Sequence, residues 1–374
     1  MKNIFCLLFV LISILSCSDN DSISGNEDVV YEGDVSLHYQ SDVDNFVRNG
    51  YTGITGYLII AGNGPSRPDL IPINNLEGLN KLQKIGGNFG IQDFDDLPNI
   101  NSLKNLKSIG GDLSIMNNKG IFDLNGFSNL SFIGASLGIL NNPDLENIDG
   151  LKQLSTVGKS IDIRINPSLK DVQGLSGITS VGRYLRISNT GVNNLYGLEN
   201  ITSLWSLLIE DNDNLKNLDG LENLSSLYDL VISGNALTNI NALNKLTVLT
   251  QDLEIIGNPE LIDLNGLNNI SSVSKQITIE DNRSITSLIG LENLKSSGNL
   301  RIAYNDNLTT LNGLDNFVTL ENQLVINNNL ELVDFCAIKP LLDSGFPDGP
   351  WTFSVFQNNY DPTHQDILDG NCEK

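Results

Sequence analysis

Histidine, cysteine and basic side chains are scarce in this chain of 374 residues, which has two histidines, four cysteines, and 22 Lys and Arg against 45 Asp and Glu. Each shortage closes off a function. A net charge of −23 repels phosphate backbones and anionic headgroups, which argues against nucleic acid as a partner and against membrane binding through the protein surface. No stretch approaches the roughly 20 apolar residues of a membrane-spanning helix. Histidine occurs only at His38 and His364, so no histidine-based acid–base pair or metal set is at hand. No cofactor motif is present either.

The N-terminus carries an address. Residues 1–16 hold Lys2, an apolar run from Ile4 to Leu15 and then Ser16, the pattern of an export signal. Cys17 follows Ile14-Leu15-Ser16, which resembles a bacterial lipobox, where the cysteine is acylated and becomes the new N-terminus. The alternative is an ordinary secretory signal with Cys17 an incidental thiol. Ser18-Asp19-Asn20-Asp21 resembles the acidic signal that sends Bacteroidota-type lipoproteins to the outer face of the outer membrane. Residues 17–34 are mainly Ser, Asn, Gly and acid, a composition expected to form a flexible acidic tether. The resemblance implies an exported, surface-exposed chain that meets the outer membrane only through a lipid anchor.

From Asn142 onward the chain copies a unit of 24 residues, NPDLENIDGLKQLSTVGKSIDIRI, almost position for position. The apolar pair L-x-I begins at Leu58, Phe89, Leu113, Leu137, Ile161, Leu185, Leu207, Leu230, Leu253, Ile277, Leu300 and Leu324, which makes twelve coils. Successive intervals are 31, 24, 24, 24, 24, 22, 23, 23, 24, 23 and 24. The long first interval contains Gly64-Pro65-Ser66-Arg67-Pro68, a loop thrown out of one coil. A fixed period of this length marks a stacked solenoid. Leu145, Ile148, Leu151, Leu154 and Val157 recur every third residue, which predicts short turns and 3₁₀ pieces. Ile161 and Ile163 then recur every second, which predicts a strand with one face buried. Gly150 and Gly158 are expected to supply backbone freedom at the bends. At roughly 1.5–3 kcal/mol for each buried apolar side chain, the core closes only when coils stack.

Asparagine recurs three residues after the second strand position: Asn63, Asn118, Asn142, Asn166, Asn212, Asn235, Asn258, Asn282, Asn305 and Asn329, with Phe94 and Thr190 as exceptions. An inward carboxamide both donates and accepts, so stacked copies would satisfy the backbone of adjoining coils as a structural ladder. Turned outward, the same residues would be a row of metal or sugar ligands. The acidic run Asp211-Asn212-Asp213-Asn214 fits a polar turn better than a calcium loop, since the spaced-oxygen pattern is missing.

Leu76-Glu-Gly-Leu-Asn-Lys-Leu-Gln-Lys-Ile-Gly-Gly87 and Leu113-Ser-Ile-Met-Asn-Asn118 resemble the receptor L-domain branch of leucine-rich-repeat proteins, a group that includes bacterial surface lipoproteins. The resemblance runs from about Ile54 to Cys336. It implies a leucine-rich-repeat/L-domain solenoid, β-helix-like, of about twelve coils with 22–24 residues each, a parallel β-sheet face, short helical turns and capped ends. The implied divisions are a signal at 1–16, a tether at 17–34, an N-terminal cap at 35–53, repeats at 54–336 and a C-terminal cap at 337–374. In the first cap, Val35-Ser-Leu alternates like a strand, and Ser41 offers an N-cap oxygen to a helix. In the last, Leu330, Leu332 and Val333 need cover, for which Trp351 to Tyr360 and a short helix ending at Gly370 are the expected source. Cys336 and Cys372 are the pair left for a disulfide in an oxidising compartment.

Two columns of strand side chains point away from the core. Among them Met116, Leu140, Asp162, Arg164, Arg186, Leu208, Glu210 and Val231 form the candidate ligand face. Arg164 and Arg186 beside Asp162 and Glu210 read either as a ligand patch or as a solvated ion-pair network. The exposed aliphatics suit a protein partner. The family binds proteins and glycans alike, so the function expected from the resemblance is non-catalytic adhesion or recognition. The rivals are a polysaccharide-degrading enzyme on a β-helix and a passive stalk. An enzyme would need carboxylates and basic groups converging on a groove, and the columns offer scattered charges instead.

Overall fold

The computed structural model describes residues 28–62, 69–97, 99–349 and 351–374. The expected export signal, Cys17, Asn63 and the expected loop at 64–68 lie outside the described residues. The coils build one long parallel sheet of 15 strands, from Val35–Leu37 through Leu58–Ala61 and Phe89–Gln92 to Phe353–Phe356. Equivalent residues of successive coils lie side by side: Leu113 pairs with Leu137, Leu137 with Ile161, and Ile161 with Leu185. A second sheet of six two-residue strands runs from Val30–Tyr31 to Thr156–Val157. The return path holds 3₁₀ turns such as Asp149–Leu151 and Gln173–Leu175. This is a leucine-rich-repeat solenoid with a β-helix-like second sheet.

The two periodicities have the expected physical basis. Leu145, Ile148, Leu151, Leu154, Ile161 and Ile163 are all fully buried. Extended corners and 3₁₀ turns present every third side chain inward, whereas the strand presents every second.

Gly150 and Gly158 have a different reason from the expected one. Neither adopts a left-handed φ. A Cβ at Gly150 would lie 1.8 Å from the Leu124 carbonyl oxygen, and one at Gly158 would lie 2.2 Å from that of Gly134. Both glycines are needed for the close approach of adjoining coils. Later coils do use left-handed glycine at the Gly150 position, as at Gly197, Gly220, Gly290 and Gly313. The residue two positions on marks the difference. Glu199, Glu222, Glu292 and Asp315 accept the N–H of those glycines at 2.8–3.1 Å, whereas Lys152 and Ser176 follow the glycines that remain in 3₁₀ turns.

Both ends depart from expectation in detail. The assigned tether ends early, because Val30–Tyr31 pairs in parallel with Gly53–Ile54. Helix α1 (Gln40–Val47) begins after Tyr39, not Ser41. The carboxylate of Asp42 accepts from the N–H groups of His38 and Tyr39, both at 3.0 Å. Val43 and Phe46 seal the first coil, and Phe46 packs with the rings of Tyr31 and Tyr51.

At the other end, Phe353–Phe356 pairs with Leu324–Asn327 as a further coil strand. Phe353-x-Val355-x-x-Asn358 keeps the repeat signature, but it comes 29 residues after Leu324, beyond the expected interval. Helix α2 (Lys339–Asp343) buries Leu341 and Leu342, and helix α3 (His364–Leu368) buries Ile367. Trp351 is 83% exposed and Leu330 59%, so Trp351 does not cover the core and Leu330 does not require cover. Phe346, Ile367 and the half-buried Phe353 and Tyr360 do the covering. Cys336 and Cys372 are joined with a Cα–Cα distance of 4.9 Å.

This closure spans 36 residues, for which the chain-entropy model gives about 3–4 kcal/mol. Cys372→Ser is expected to lower the melting temperature while far-UV circular dichroism keeps the repeat signature. An unchanged calorimetric midpoint would show that the clasp adds nothing.

Candidate functional site: the asparagine ladder and the sheet face

Asn118, Asn142, Asn166, Asn212, Asn235, Asn258, Asn282, Asn305 and Asn329 are all buried, at 2% exposure or less. The same bonding recurs along the row, except that Asn166, followed by Thr190, donates only backward and to Arg164 O. Asn142 Nδ2 donates back to Ile115 O at 3.0 Å and onward to Asn166 Oδ1 at 3.3 Å. Asn142 Oδ1 accepts both the N–H and the Nδ2 of Asn118, at 3.2 and 3.0 Å. These carboxamides bond to backbone and to each other, so they form the structural ladder and not an outward row of ligands. Asn212 is part of it, which takes the middle of the acidic run at 211–214 out of reach of a cation.

Among the described residues the ladder has one break and two ends. At the break, Thr190 donates its N–H and its hydroxyl to Asn212 Oδ1, at 3.2 and 2.6 Å. At the far end Asn358, missed because of the 29-residue interval, accepts from the N–H of Asn329 at 3.1 Å. Asp361 then takes the place of a next asparagine: its Oδ1 accepts the N–H and Nδ2 of Asn358 at 3.0 and 2.9 Å. At the near end the N–H of Phe94 reaches Asn118 Oδ1 at 3.4 Å.

The residue just before each ladder position is left-handed, which the sequence reading did not foresee. It is Asp93, Asn117, Asn141, Ile165, Asn189, Asp211, Asp281, Tyr304, Asn328 or Gln357, and Gly234 or Gly257 in two coils. The run of Asn, Asp and Gly was the available signal, since these types tolerate positive φ.

The face residues fall into the two expected columns. Met116 pairs with Leu140, Leu140 with Arg164, Asp162 with Arg186, Arg186 with Leu208, and Leu208 with Val231. They point away from the core yet are half-buried, because neighbouring strands stand only about 4.8 Å apart. Arg164 Nε donates to Asp162 Oδ1 at 2.7 Å. Arg186 and Glu210 approach to 2.6 Å as charges but are not aligned as a hydrogen bond. A third pair, Arg301 with Glu280 at 2.8 Å, lies further along the same face. The basic groups on this face are therefore engaged with acids. Asp334, Cys336 and Glu373 come together among the described residues, but the Cys336 sulfur is already bonded to Cys372.

One face carboxyl is out of the ordinary. Burial raises Glu254 above the usual glutamate value, with Asp252, Asp229 and Glu210 adding to the shift. An aromatic pair that the sequence reading left aside, Trp205 and Tyr228, packs with 4.5 Å between ring centroids and 35° between ring planes.

The class defined by this geometry is a leucine-rich-repeat solenoid with an internal asparagine ladder. No protein-family model and no curated protein matches the chain. Among solved structures, it is similar to a leucine-rich-repeat protein of Leptospira interrogans, at 18% identity over 78% of this chain and 83% of that one, with a TM-score of 0.34.

Two outcomes test the site. Asn142→Ala removes the side-chain bonds described above and leaves buried partners unpaired, at about 1–3 kcal/mol for such a group; urea unfolding should read that loss, and a midpoint equal to wild type would contradict the ladder's role. For Glu254 the folded pKa lies above the unfolded one. Between the two values the native chain keeps a proton that the unfolded chain has lost, so stability falls as pH rises through the interval. Glu254→Gln is therefore expected to raise the melting temperature at pH 7 and to give no gain below the unfolded value of about 4.3. Equal gains at both pH values would exclude this origin.

Proposed function

We propose that the chain is a non-catalytic recognition protein, exported and held at the outer surface by acylation of Cys17, that binds a protein or glycan along its sheet face. Ile165 is the observation that carries this reading. It is 49% exposed and sits at φ +57, between coils that use Asn141 and Asn189 at the same position. Left-handed backbone costs an L-residue roughly 1–2 kcal/mol, and a β-branched side chain is especially ill suited to it. Strain of this kind persists where the surface is used. Ile165 follows Arg164 directly, one coil from Leu140 and two from Met116, so it extends the aliphatic part of the face. Tyr304 repeats the pattern at φ +56 and 45% exposure.

A leucine-rich-repeat fold favours a protein partner, and a long rigid sheet with preformed ion pairs enters a complex with little ordering cost. The pairing of Arg164, Arg186 and Arg301 with acids favours binding over chemistry. The anchor rests on Ile14-Leu15-Ser16-Cys17 alone.

The test is biolayer interferometry of the full chain against purified surface proteins and glycans, with Ile165→Asn and Leu140→Glu alongside. Ile165→Asn is expected to gain about 1 kcal/mol by relieving strain and to bind its ligand more weakly. If it gains stability and binds every ligand unchanged, the reading loses its support. Cys17→Ser should move the chain from the membrane fraction to the soluble one; a variant that stays with membranes would disprove the anchor.

A further inference from the structure

The coil intervals of 22 and 23 residues that break the regular 24 mark a place where the solenoid changes shape. From the last apolar residue of the return path to the first of the strand, Val181 to Leu185 is four positions and Leu249 to Leu253 is four. Leu204 to Leu207 and Leu227 to Leu230 are only three. The two short corners match each other, so Ser203–Glu210 and Ser226–Ser233 are continuous strands in register, Leu204 beside Leu227 and Leu207 beside Leu230. The longer corners on either side do not match them. Across the second mismatch, the partner strand is split into Val248–Leu249 and Asp252–Ile256. The result is a notch of about 250 Å³ bounded by Val181 and Gly182 on one side and Thr250 on the other.

The notch is lined where the missing residues would have been. Trp205 and Tyr228 occupy the two shortened corners with their ring planes tilted by 35°, and Trp205 is 57% exposed. Only 6% of the chain is aromatic and it holds two tryptophans, so this pairing on one surface feature is not explained by core packing. Among the described residues no hydrogen-bond partner is found for Trp205 Nε1 or the Tyr228 hydroxyl. The hydroxyl oxygen of Thr250 is enclosed and also lacks a partner. Ser203 and Ser226 add hydroxyls to the lining. Ser206, one position on from Trp205, donates to Asp229 at 2.9 Å.

We propose that this notch binds one neutral hexopyranose ring of a glycan. An aromatic platform takes the apolar C–H face of such a ring, while the flanking hydroxyls and indole N–H meet its hydroxyl groups. The volume falls below the roughly 300 Å³ at which pockets enclose drug-sized ligands, which suits a single ring on a surface. The lining has no charged side chain, so it offers no counter-charge to a uronate or a sulfated sugar and suits a neutral ring. The exposed indole N–H and the serine hydroxyls beside the platform suit a ligand with hydrogen-bonding groups at its edge, which an aliphatic side chain would not supply. The proposal rests on the recognition reading and specifies one ligand class for it.

Trp205 and Trp351 are the two tryptophans, and Trp351 lies 83% exposed in the C-terminal cap. Trp351→Phe therefore leaves Trp205 as the single indole reporter in the full chain. Its fluorescence is titrated with hexasaccharides of glucose, mannose, galactose and N-acetylglucosamine, with hexagalacturonate as the anionic arm and hexalysine as the cationic one. At least one neutral sugar is expected to give a saturable change. By interferometry, Trp205→Ala should weaken that sugar about tenfold or more, with the melting curve unchanged. No saturable response to any neutral sugar overturns the proposal, as does a response to hexalysine or hexagalacturonate instead. Sugar binding that survives Trp205→Ala but is lost in Leu140→Glu overturns the notch and leaves the recognition reading intact. Binding that neither Trp205→Ala nor Leu140→Glu weakens removes both.

Discussion

Adjoining coils meet at the spacing of one β-ladder, and almost every special residue in this chain is there because of that contact. Strand backbones satisfy one another across coils, but the turn that follows each strand leaves buried polar groups with no strand to pair with. The asparagine ladder solves this with one side chain per coil. Its carboxamide reaches back to a strand carbonyl and forward to the next carboxamide, so each coil completes the one before it. Such a chain needs a beginning and an end. Phe94 starts it with a backbone N–H, and Asp361 ends it with a carboxylate that only accepts. Thr190 is the single internal substitution, and it keeps the forward bond while giving up the backward one.

The same spacing shapes the surface. Equivalent side chains of neighbouring coils stand beside each other, so charges on the face pair along or across strands and become half-buried. Arg164 with Asp162, Arg186 with Glu210 and Arg301 with Glu280 are the outcome. Glu254 has no such basic partner, and its burial, with Asp252, Asp229 and Glu210 adding to it, raises its pKa. Features that a regular solenoid does not need then stand out against the pattern: the left-handed Ile165, and the Trp205–Tyr228 pair in two shortened corners.

Much of the fold was legible because each physical requirement recurs in every coil and so leaves a periodic trace. Leu145 to Val157 at every third residue and Ile161 with Ile163 at every second describe two backbone conformations directly. The ladder was legible for the same reason. What happens once was read less well. Phe353-x-Val355-x-x-Asn358 obeys the rule, but its interval is lengthened by the segment that forms α2, so periodicity alone passed over it. Trp351 has the composition of a core residue and the exposure of a surface one, and only the path of the chain around it distinguishes the two. Tyr39 rather than Ser41 precedes α1 because the carboxylate of Asp42 caps the preceding N–H groups, a geometry that residue type does not reveal.

By itself the sequence determined the solenoid, its period, the inward asparagines and the columns of the face, since all of these follow from which side of the backbone each residue occupies. The tertiary structure decided what depends on the distance between coils. Gly150 is needed because Leu124 O lies where a side chain would start, not because of its own dihedral angles. The loss of one corner residue, half of what shortens the interval from 24 to 22, becomes a notch only when the neighbouring corners keep their full length. Periodicity encodes direction and repetition; the closeness of packed backbones emerges only when the coils are stacked.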